Sequence, residues 1–370
     1  MYGSDSRLRV LFLTLYPEIV PSSRLRVYQY LPLLAESNIE ATVIPAVEKI
    51  RFSAVGTSHS RWRYFLQYSS EFFGTFQRAL KSGRYDVVFI QKGVLLTNFH
   101  GLERLFICAN KHLVFDLDDA VYGTNIMEFS SPWLRWLQDC HQTEKLSRHC
   151  RAVVTGNRYL KDIALRFNEN VSVIPTPVDT ERIVPRSNGV SSLCSEFVIG
   201  WMGMPSGLMY LDQIKEALKI LSGRFPIRLC LVTRLSGKSF DMPGVKTEII
   251  DWTYESETLH MQRFDVAISP QPDNEWTRGK CSLKLLQYMA AGLPTVASRA
   301  GMNCEVINDG VDGYLANETD EWVDKLSALI REKDLRQKMG RSARRKVVEE
   351  YELKKMAPKL VAVIRKAASS

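Results

Sequence analysis

The stretch VAISPQPDNEWTRGKCSLKLLQYMAAGLPTVAS, residues 266–298, decides the fold. It begins with a short apolar run and continues through a polar loop into a helical segment at residues 282–291, which predicts a strand followed by a helix. Gly292 and Pro294 stop the helix, and a second apolar run follows at residues 295–297. Two short strands joined by a helix are typical of a parallel β-sheet.

The same alternation of short apolar runs and helical segments extends over the whole chain. The run RVLFLTL, residues 9–15, is continuously apolar, as expected for a strand buried on both faces. The predicted strands lie at residues 9–15, 40–44, 87–91, 112–115 and 152–155, and then at 197–201, 228–232, 247–250, 266–269 and 295–297. We therefore predict an α/β fold with two Rossmann-like, doubly wound parallel-sheet domains.

A segment rich in Pro, Ser and Thr separates the two halves. Residues 174–192, IPTPVDTERIVPRSNGVSS, show little helical periodicity and suit an interdomain linker. We place an N-terminal domain at residues 1–188 and a C-terminal domain at residues 189–350. The tail at residues 351–370 is predicted to cross back onto the first domain, with its helical pattern interrupted by Pro358.

The composition limits the classes of protein to which this chain can belong. The 370 residues are 45% hydrophobic and 24% charged, which is enough for two cores. The seven cysteines are an odd number without a CxxC pair, which argues against disulfides and a zinc site. No apolar run reaches the roughly 18 to 20 residues of a membrane-spanning helix, and we expect a cytoplasmic protein without a signal peptide. The formal net charge of +8 suits nucleotide diphosphates, lipid-linked phosphates or an acidic membrane face, or is simply a solvated basic surface.

Two loops of the second half predict a phosphate-binding surface, because parallel sheets bind ligands beyond the carboxyl ends of their strands. One loop carries Arg278, Lys280 and Lys284 around the start of a helix, where positive charge and backbone amides suit a diphosphate. The other, IGWMGMPSG at residues 199–207, has glycines that permit close backbone approach.

A cluster of carboxylates in the first half is a second candidate site. The loop DLDDAVY, residues 116–122, holds three aspartates whose closeness is costly unless they bind a metal, a hydroxyl or a cation. By itself, VFDLDD fits the nucleophile motif of haloacid-dehalogenase phosphatases, the DxD metal site of single-domain glycosyltransferases, or a carboxylate that hydrogen-bonds sugar or acceptor hydroxyls. The late position of the motif argues against the first interpretation, and the two-unit layout argues against the second.

The loop PSSRLRVYQYL, residues 21–31, follows the first predicted strand. We predict that Ser22 and Ser23 cap the helix that begins here, and that Arg24 and Arg26 place guanidinium groups at its N-terminus. This arrangement predicts a phosphate or anionic-acceptor site, with arginines on a solvated first turn as the alternative.

The run SLKLLQYMAAGLPTVAS, followed by EVINDGVDGYL at residues 305–315, resembles the donor-binding signature of the GT-B glycosyltransferases of family 4. The segment NVSVIPTPVD, residues 170–179, is similar to the strand and linker before their second domain. The resemblance covers nearly the whole chain in the right order. It implies two domains that face each other across a cleft, with a nucleotide-sugar donor, a UDP-sugar or GDP-sugar, on the C-terminal domain. It also implies a retaining transfer to a hydroxyl, without a metal or another cofactor.

The resemblance assigns sugar and ribose contacts, with departures from the family pattern. The second signature glutamate, which binds the ribose, corresponds to Gln287, and the first corresponds to Gly279. Glu275 or nearby backbone groups are expected to replace the missing sugar contact. Those backbone groups belong to Lys280, Cys281, Ser282 and Leu283.

The resemblance implies further roles around the diphosphate and the base. The family's Arg and Lys are missing from the 199–207 loop, so Lys284 is the expected substitute, with Ser206 and Lys280 as assistants. Trp252 stands where such enzymes hold the base, although a Trp in an interdomain seam is the alternative. The remaining donor-loop candidates are Gly203, Met204 and Pro205.

In the first half, the family's histidine corresponds to Asp118, which becomes the preferred catalytic candidate together with Lys284. Asp116 and Asp119 are its neighbours and share the expected acceptor contacts. The other acceptor or phosphate candidates are Ser23, Arg24 and Arg26.

The acceptor class stays open. A glycan, a lipid-linked sugar or a small molecule fits, in bacterial surface polysaccharide or glycoconjugate synthesis. Residues 60–84 place aromatic and basic side chains at helical spacing, which predicts either a helix packed on the first sheet or a peripheral membrane contact. The rival functions are a nucleotide-sugar 2-epimerase, a phosphorylase-like protein and a non-catalytic nucleotide-sugar-binding paralogue; nucleic acid is not an expected partner.

Overall fold

The computed structural model describes residues 7–46, 73–94, 102–120, 139, 141–186, 196–235 and 240–369. The chain forms two units. Unit 1 comprises residues 1–177, 279–281 and 353–370, and unit 2 comprises residues 178–278 and 282–352.

In its described ranges, unit 1 is built on a parallel sheet of six strands in the order β2-β1-β3-β4-β5-β6. The strands are β1 (Leu8–Thr14), β2 (Ile39–Pro45), β3 (Val87–Gln91), β4 (Leu113–Leu117), β5 (Ala152–Thr155) and β6 (Val171–Val173). Its helices are α1 (Pro21–Arg26), α2 (Leu31–Glu36), α3 (residues 73–82), α4 (Leu102–Ala109), α5 (Gln142–His149) and α6 (Arg158–Ala164). A 3-10 turn at Tyr28–Tyr30 joins α1 to α2.

Unit 2 repeats this architecture with the strand order β12-β11-β10-β7-β8-β9. The strands are β7 (Phe197–Met202), β8 (Ile227–Val232), β9 (Thr247–Ile250), β10 (Val266–Ser269), β11 (Thr295–Ser298) and β12 (Tyr314–Ala316). The helices are α7 (Lys215–Arg224), α8 (Glu257–Met261), α9 (Glu275–Arg278), α10 (Leu283–Ala290), α11 (Asn303–Val306), α12 (Thr319–Arg331) and α13 (Lys333–Glu350), with a 3-10 helix at Pro205–Ile214.

Burial of both sheet faces explains why the strands are so apolar. Every residue of β3 and of β4 is buried. In unit 1, Phe12 and Phe89 on neighbouring strands bring their ring centroids to 5.1 Å. In unit 2, Trp201 and Trp322 are almost fully buried in the core. Each unit therefore has its own hydrophobic core.

Helix α10 ends as the sequence predicts. Gly292 adopts φ +69°, a left-handed conformation that glycine reaches without the penalty of a side chain. The N–H of Gly292 donates to the carbonyl of Met289, and the N–H of Leu293 donates to that of Tyr288, both at 3.0 Å. This is a Schellman motif, which satisfies the last carbonyls of the helix before β11 begins.

The final described helix is α14 (Leu353–Ser369), and it belongs to unit 1. It buries Met356, Leu360 and Ile364 in the core that the unit 1 sheet forms. The expected interruption at Pro358 is wrong, because Pro358 lies inside this continuous helix. The helical path breaks at Tyr351 instead, whose carbonyl accepts a hydrogen bond from the N–H of Val178 at 2.9 Å.

The predicted fold class is confirmed, since both sheets are parallel and are combined with helices. The change from unit 1 to unit 2 comes at Pro177, before the boundary that the linker composition suggested. Strand β12, of three residues, was not predicted as a member of a sheet, whereas β6 lies in the segment at residues 170–179 where the resemblance implied a strand.

Strand order locates the places where each sheet can hold a ligand. β1 lies between β2 and β3, and β7 lies between β8 and β10, so the chain switches direction across each sheet at these strands. Loops that leave the carboxyl ends of strands on the two sides of such a point diverge and leave a crevice. Among the described residues, no helix is long and apolar enough to cross a membrane.

Candidate functional sites

Unit 2 brings together the two loops that the sequence singled out. Lys284 lies in the first turn of α10, and its Nζ is 4.7 Å from the centroid of the Trp201 ring. A Cβ added to Gly203 would lie 3.3 Å from Lys284 Cδ, and one added to Gly207 would lie 3.8 Å from Nζ. The glycines of the 199–207 loop therefore leave the space that the lysine occupies.

The end of β7 is tied to α10 by Tyr288. The Tyr288 hydroxyl accepts a hydrogen bond from the N–H of Met202 at 2.7 Å and donates to its carbonyl at 3.2 Å. Burial raises the pKa of Tyr288, so the phenol stays neutral and supplies both bonds. The loop that begins at Gly203 is therefore fixed to the helix that carries Lys284.

The start of α10 is set by an unusual backbone conformation. Ser282 has φ +46°, in the left-handed region that costs a non-glycine residue about 1–2 kcal/mol. Its hydroxyl donates to Asn303 Oδ1 at 2.8 Å, which helps to hold that conformation. The first-turn amides of α10 and the Lys284 ammonium together give this end of the helix positive potential.

Other predicted residues of the loop before α10 have different roles. Arg278 donates both guanidinium bonds to Asp273, each at 2.8 Å, and this hydrogen bonding lowers the pKa of Asp273. The positive charge predicted from Arg278 is therefore neutralised. Glu275 is exposed and begins the short helix α9.

The loop after β7 continues as a 3-10 helix at Pro205–Ile214. Pro205 is the first residue of this helix. Met204 and Ser206 are exposed, so both are accessible at the carboxyl edge of the sheet.

Gln287 and Trp252 meet at a residue that the sequence did not mark. Glu257, the first residue of α8, accepts hydrogen bonds from Gln287 Nε2 at 2.9 Å and from the Trp252 indole N–H at 3.1 Å. Arg182 donates to the same carboxylate at 2.6 Å. The guanidinium of Arg234 lies 5.7 Å from the centroid of the Trp252 ring. Two residues that were predicted to bind the nucleotide-sugar donor therefore hydrogen-bond to the same buried carboxylate.

Unit 1 has its own polar cluster at the carboxyl ends of β1, β3 and β4. Asp118 accepts hydrogen bonds from the Ser22 hydroxyl at 2.8 Å and from Gln91 Nε2 at 3.3 Å. Gln91 Nε2 also donates to the Ser22 hydroxyl at 2.8 Å, and Gln91 Oε1 accepts from the Ser23 hydroxyl at 3.1 Å. Asp118 is therefore held in one orientation at the switch point of this sheet.

Lys92 supplies the positive charge of this cluster. Its Nζ is 3.1 Å from a carboxylate oxygen of Asp119 and 3.7 Å from one of Asp118. Burial opposes the charged form, but the two carboxylates outweigh it, so the pKa of Lys92 lies above its usual value. The backbone of Lys92 has φ +66°, a strained conformation for this residue type. Asp119 remains a quarter exposed and is the most accessible carboxylate of the three.

The serines and arginines of α1 are arranged differently from the expectation. The predicted capping by Ser22 and Ser23 is wrong: the N-cap is the apolar Val20, and both hydroxyls bond to the cluster instead. Arg26 is 3% exposed and donates to Asp116 and to the carbonyl of Ile174.

Arg26 and Asp116 thus satisfy each other inside unit 1. The expected alternatives for Arg26 were a ligand site and a solvated turn, and its guanidinium lies in neither setting. Arg24 is 7% exposed and donates to the carbonyl of Ile19 at 3.3 Å.

Three predicted donor residues, Gly279 to Cys281, are part of unit 1. The Cys281 thiol donates to the carbonyl of Asp118 at 3.2 Å, and burial raises the pKa of this thiol. The carbonyl of Lys280 accepts from Asn157 Nδ2 at 3.0 Å. A Cβ on Gly279 would lie 2.5 Å from that of Ala120, so a side chain is excluded at the position where the family signature has a glutamate.

The predicted amphipathic segment at residues 60–84 is only partly described, because residues 60–72 lie outside the described ranges. Within α3, Phe73 and Leu80 are each 66% exposed and Phe76 is 40% exposed. The small residue Ala79 is buried. The largest apolar side chains of α3 therefore reach solvent.

Sequence reasoning missed four residues that organise the two sites: Gln91, Lys92, Glu257 and Tyr288. Gln91 and Lys92 had a signal, since they end the apolar run VVFIQK in the way that the aspartates end β4. Glu257 and Tyr288 had none, because their partners are distant along the chain.

Comparison with known proteins relates unit 2 to a family. Residues 207–332 match the family model described as Glycosyl transferases group 1. The chain is 27% identical over 257 residues to the MMP alpha-(1->4)-mannosyltransferase of Mycolicibacterium hassiacum, a match that covers 63% of this chain and 58% of that protein. A 27% identical match to a sulfoquinovosyl transferase of Arabidopsis thaliana covers 50% of this chain and 37% of that protein. The chain thus spans less than two thirds of the length of either relative.

Solved structures show the shared fold over nearly the whole chain. A sucrose-phosphate synthase from Thermosynechococcus elongatus superposes with a TM-score of 0.70 at 12% identity, covering 98% of this chain and 100% of that chain. Anabaena HepE in complex with UDP superposes with a TM-score of 0.66 at 15% identity, covering 97% and 100%. The chain therefore shares the fold of these proteins, the GT-B fold.

Proposed function

We propose that this chain is a group 1 glycosyltransferase, the family whose model matches residues 207–332, and that it transfers a sugar from a nucleoside-diphosphate sugar to a hydroxyl of an acceptor. Curated relatives with matching segments are named as a mannosyltransferase and a sulfoquinovosyl transferase. A protein with the same fold was solved with UDP. These observations support a sugar nucleotide as the donor and a sugar-containing molecule as the acceptor.

The proposal depends above all on the position of Lys284. Its ammonium stands over the Trp201 ring, next to the glycine loop and in the first turn of α10, at the switch point of the unit 2 sheet. When the bond between the anomeric carbon and the diphosphate breaks, negative charge grows on the diphosphate oxygens. A fixed cation and helix amides at that place stabilise the charge without reorganisation. The proposal therefore gives the charge-stabilising role to Lys284 and includes no metal or further cofactor.

Unit 1 supplies the acceptor residues in this proposal. Asp118 is fixed by Ser22, Gln91 and Lys92, so its carboxylate has a defined direction for a hydroxyl of the acceptor. The more exposed Asp119 extends the same contact surface. The transfer is proposed to retain the configuration at the anomeric carbon and to serve the synthesis of a bacterial surface polysaccharide or glycoconjugate.

A ligand screen followed by an activity assay tests the function. UDP-, GDP-, ADP- and dTDP-sugars are each added to the protein, and the donor is the one that raises the melting temperature, because a ligand of the folded state stabilises it. Hydrolysis of that donor without an acceptor is then measured. Release of the nucleoside diphosphate and a free sugar supports a transferase, whereas an epimerised sugar nucleotide indicates a 2-epimerase. Binding without turnover, even with acceptor sugars present, indicates a non-catalytic paralogue, and no stabilisation by any donor contradicts the proposal.

We extend the proposal to a peripheral membrane contact through α3. Phe76 and Leu80 are exposed, and Lys81 and Arg84 follow them. Such a face suits insertion at an anionic surface, where the protein would meet a lipid-linked acceptor at the inner face of a membrane. Sedimentation with anionic liposomes at low salt should carry the protein down, and the variant with Phe76→Ser and Leu80→Ser should stay in solution. No sedimentation of the unmodified protein would end this extension.

A further inference from the structure

Unit 1 contains a cavity of about 390 Å³ at the edge of its sheet where the strands begin. The lining comes from residues just before β5, residues just before β6 and the last turns of α14. The described strands of this sheet are parallel, so Asp118, which follows the carboxyl end of β4, lies at the other edge. The cavity is therefore separate from the candidate acceptor residues, and its volume lies in the range of pockets that bind small organic ligands.

Positive charge predominates in this cavity. Arg148, Arg151 and Lys366 belong to its lining, and Glu169 is the one carboxylate among the lining residues, all of which the structure describes. A concave surface with an excess of one charge concentrates the field of that charge. The cavity therefore attracts an anion.

Arg151 keeps most of its guanidinium available for a ligand. Its Nε donates to the carbonyl of Lys111 at 3.1 Å, and within the described ranges no acceptor bonds to either terminal nitrogen. Two N–H groups of one guanidinium match two oxygens of a phosphate or carboxylate group. Arg151 can therefore bind such a group through two hydrogen bonds.

The other two cations are held by neighbouring residues. Arg148 Nη2 donates to Glu144 at 2.9 Å, and the Arg148 guanidinium lies 5.7 Å from the centroid of the Phe167 ring. Lys366 Nζ donates to Asn170 Oδ1 at 3.3 Å. Phe167 and Asn170 also line the cavity. Beside its cations, the cavity thus offers an aromatic ring and a side-chain amide.

Helix ends account for only part of this charge. Arg148 lies in the last turn of α5 and Lys366 in the last turn of α14, where the helix dipole favours a cation. Arg151 belongs to neither helix and comes directly before β5. A dipole therefore does not explain why a third cation joins the other two at the cavity.

The end of α5 also has carbonyl groups, which would repel an anion if they were uncovered. Asn168 Nδ2 donates to the carbonyl of Ser147 at 2.7 Å and to that of Cys150 at 2.6 Å. Both Asn168 and Cys150 line the cavity. The amide of Asn168 therefore reduces the negative potential of this helix end where the ligand would bind.

We propose that this cavity is an accessory site for a phosphate monoester, carried by a small molecule or by a phospholipid headgroup, whose phosphate binds to Arg148, Arg151 and Lys366. Such a phosphate has three strong acceptor oxygens and about 1.5 to 2 negative charges at pH 7, which match the excess of cations over Glu169. The organic part of the ligand packs on Phe167. The inference does not rest on the proposed function, because none of these residues belongs to the candidate transfer sites.

Substitutions with opposite expected effects test the site. R151Q removes a cation of the lining, and E169Q removes its carboxylate. R166Q is the matched control, because Arg166 is exposed and carries the same charge next to Phe167 but does not line the cavity. Calorimetry measures the dissociation constant of glycerol 3-phosphate, with glycerol as the uncharged comparison. Melting temperatures without ligand show whether each variant is folded.

The affinity for phosphate should follow the charge of the lining. R151Q should weaken the binding of glycerol 3-phosphate about tenfold or more, because it removes charge-assisted hydrogen bonds. E169Q should strengthen the binding, and R166Q should leave it unchanged. Glycerol should not bind. All three variants should melt near the temperature of the unmodified protein.

Vesicles distinguish the two sources of the phosphate. Phosphatidylcholine vesicles carry either phosphatidic acid, a phosphate monoester, or phosphatidylglycerol, a diester. A preference for phosphatidic acid that R151Q removes assigns the lipid source, whereas binding of glycerol 3-phosphate without this preference assigns a soluble ligand. The comparison of two anionic lipids cancels the attraction that α3 has for any anionic surface.

Several results would overturn the inference. If neither glycerol 3-phosphate nor phosphatidic acid binds, if R166Q weakens binding as much as R151Q, or if E169Q does not strengthen it, the cavity is not a phosphate site. If Lys284→Ala abolishes the binding of glycerol 3-phosphate, the phosphate binds in unit 2, so this inference fails while the proposed function stands. If no sugar nucleotide stabilises the protein but the cavity variants behave as expected, the proposed function fails and this inference stands.

Discussion

The ammonium of Lys284 lies 4.7 Å from the centroid of the Trp201 ring, and this contact holds a cation over a side chain that is fully buried. An ammonium over an indole face gains about 0.5–2 kcal/mol, depending on how far it is desolvated. Because Trp201 is a buried residue of β7, its ring has a fixed place in the core. The position of the Lys284 ammonium is therefore set before any ligand binds. Such preorganisation is what stabilisation of a leaving diphosphate requires.

Replacing Lys284 by alanine should abolish most of the activity while the protein stays folded. The loss of one charge-stabilising contact costs about 100-fold or more in turnover. Turnover of the donor found in the ligand screen and the melting temperature are measured together. Lys333→Ala, an exposed lysine in unit 2, is the matched control and should behave like the unmodified protein. Near-normal turnover of Lys284→Ala would remove the site assignment.

Gly203→Ala should displace Lys284 rather than unfold unit 2. The added Cβ would lie 3.0 Å from the Trp201 ring and 3.3 Å from Lys284 Cδ, so the indole and the lysine must both shift by a few tenths of an ångström. A displacement of this order at a catalytic group should lower turnover about tenfold. Gly223→Ala is the control, since its Cβ meets nothing within 4 Å and should stabilise α7 by up to about 1 kcal/mol. Equal turnover in the two variants would contradict the prediction.

Tyr288→Phe should destabilise unit 2 by about 1–3 kcal/mol, because it leaves two buried backbone groups of Met202 without their partner. Burial raises the pKa of Tyr288 in the folded protein. The contribution of Tyr288 to stability is therefore fully present below its unfolded pKa near 10, and it is lost only as the pH rises through the folded pKa. The loss of melting temperature should therefore be the same at pH 6 and pH 9. Thermal melts at the two pH values check this, and a loss confined to one of them would refute it.

Lys92→Met should lower stability by about 3 kcal/mol, because it leaves Asp118 and Asp119 without their buried cation. The pKa of Lys92 is raised in the folded protein, so the contribution is complete below the usual lysine value of 10.5 and disappears only as the pH rises through the folded value. Denaturant titrations should show that the free energy of unfolding differs between Lys92→Met and the unmodified protein by a constant amount from pH 6 to pH 9, and by a smaller amount at about pH 11. Lys111→Met, an exposed lysine of unit 1, should show no difference. A difference that already shrinks between pH 6 and pH 9 would contradict the assigned direction.

Most of the sheet structure was predictable because strands buried on both faces leave a continuous apolar signal. Val87–Gln91 and Thr247–Ile250 begin and end where the sequence predicted. The three-residue strands β6 and β12 are too short to carry such a signal, and their place at the sheet edge comes from pairing with β5 and β11. Pro358 was misjudged because burial of its neighbours in the unit 1 core outweighs the hydrogen bond that a proline removes.

Whether a residue of the candidate sites could be predicted depended on how far along the chain its partners lie. The glycine loop and Lys284 were recognised because each has a local signal, a glycine-rich strand end and a lysine in a first helical turn. Ser22 was misassigned as a cap because its real partner, Asp118, lies 96 positions further on. Glu257 escaped notice for the same reason, since Arg182 and Gln287 are 75 and 30 positions away.

The placement of α14 has a consequence for the order in which the protein is completed on the ribosome. This helix follows the twelve strands that the structure describes in the direction of translation, yet it covers the core of the sheet that is synthesised first. Unit 2 has all of its residues once Glu352 has been added, whereas unit 1 still lacks the seventeen residues of α14 that contribute to its core. The core of the half that is made first is therefore completed by residues that are synthesised after those of the other half.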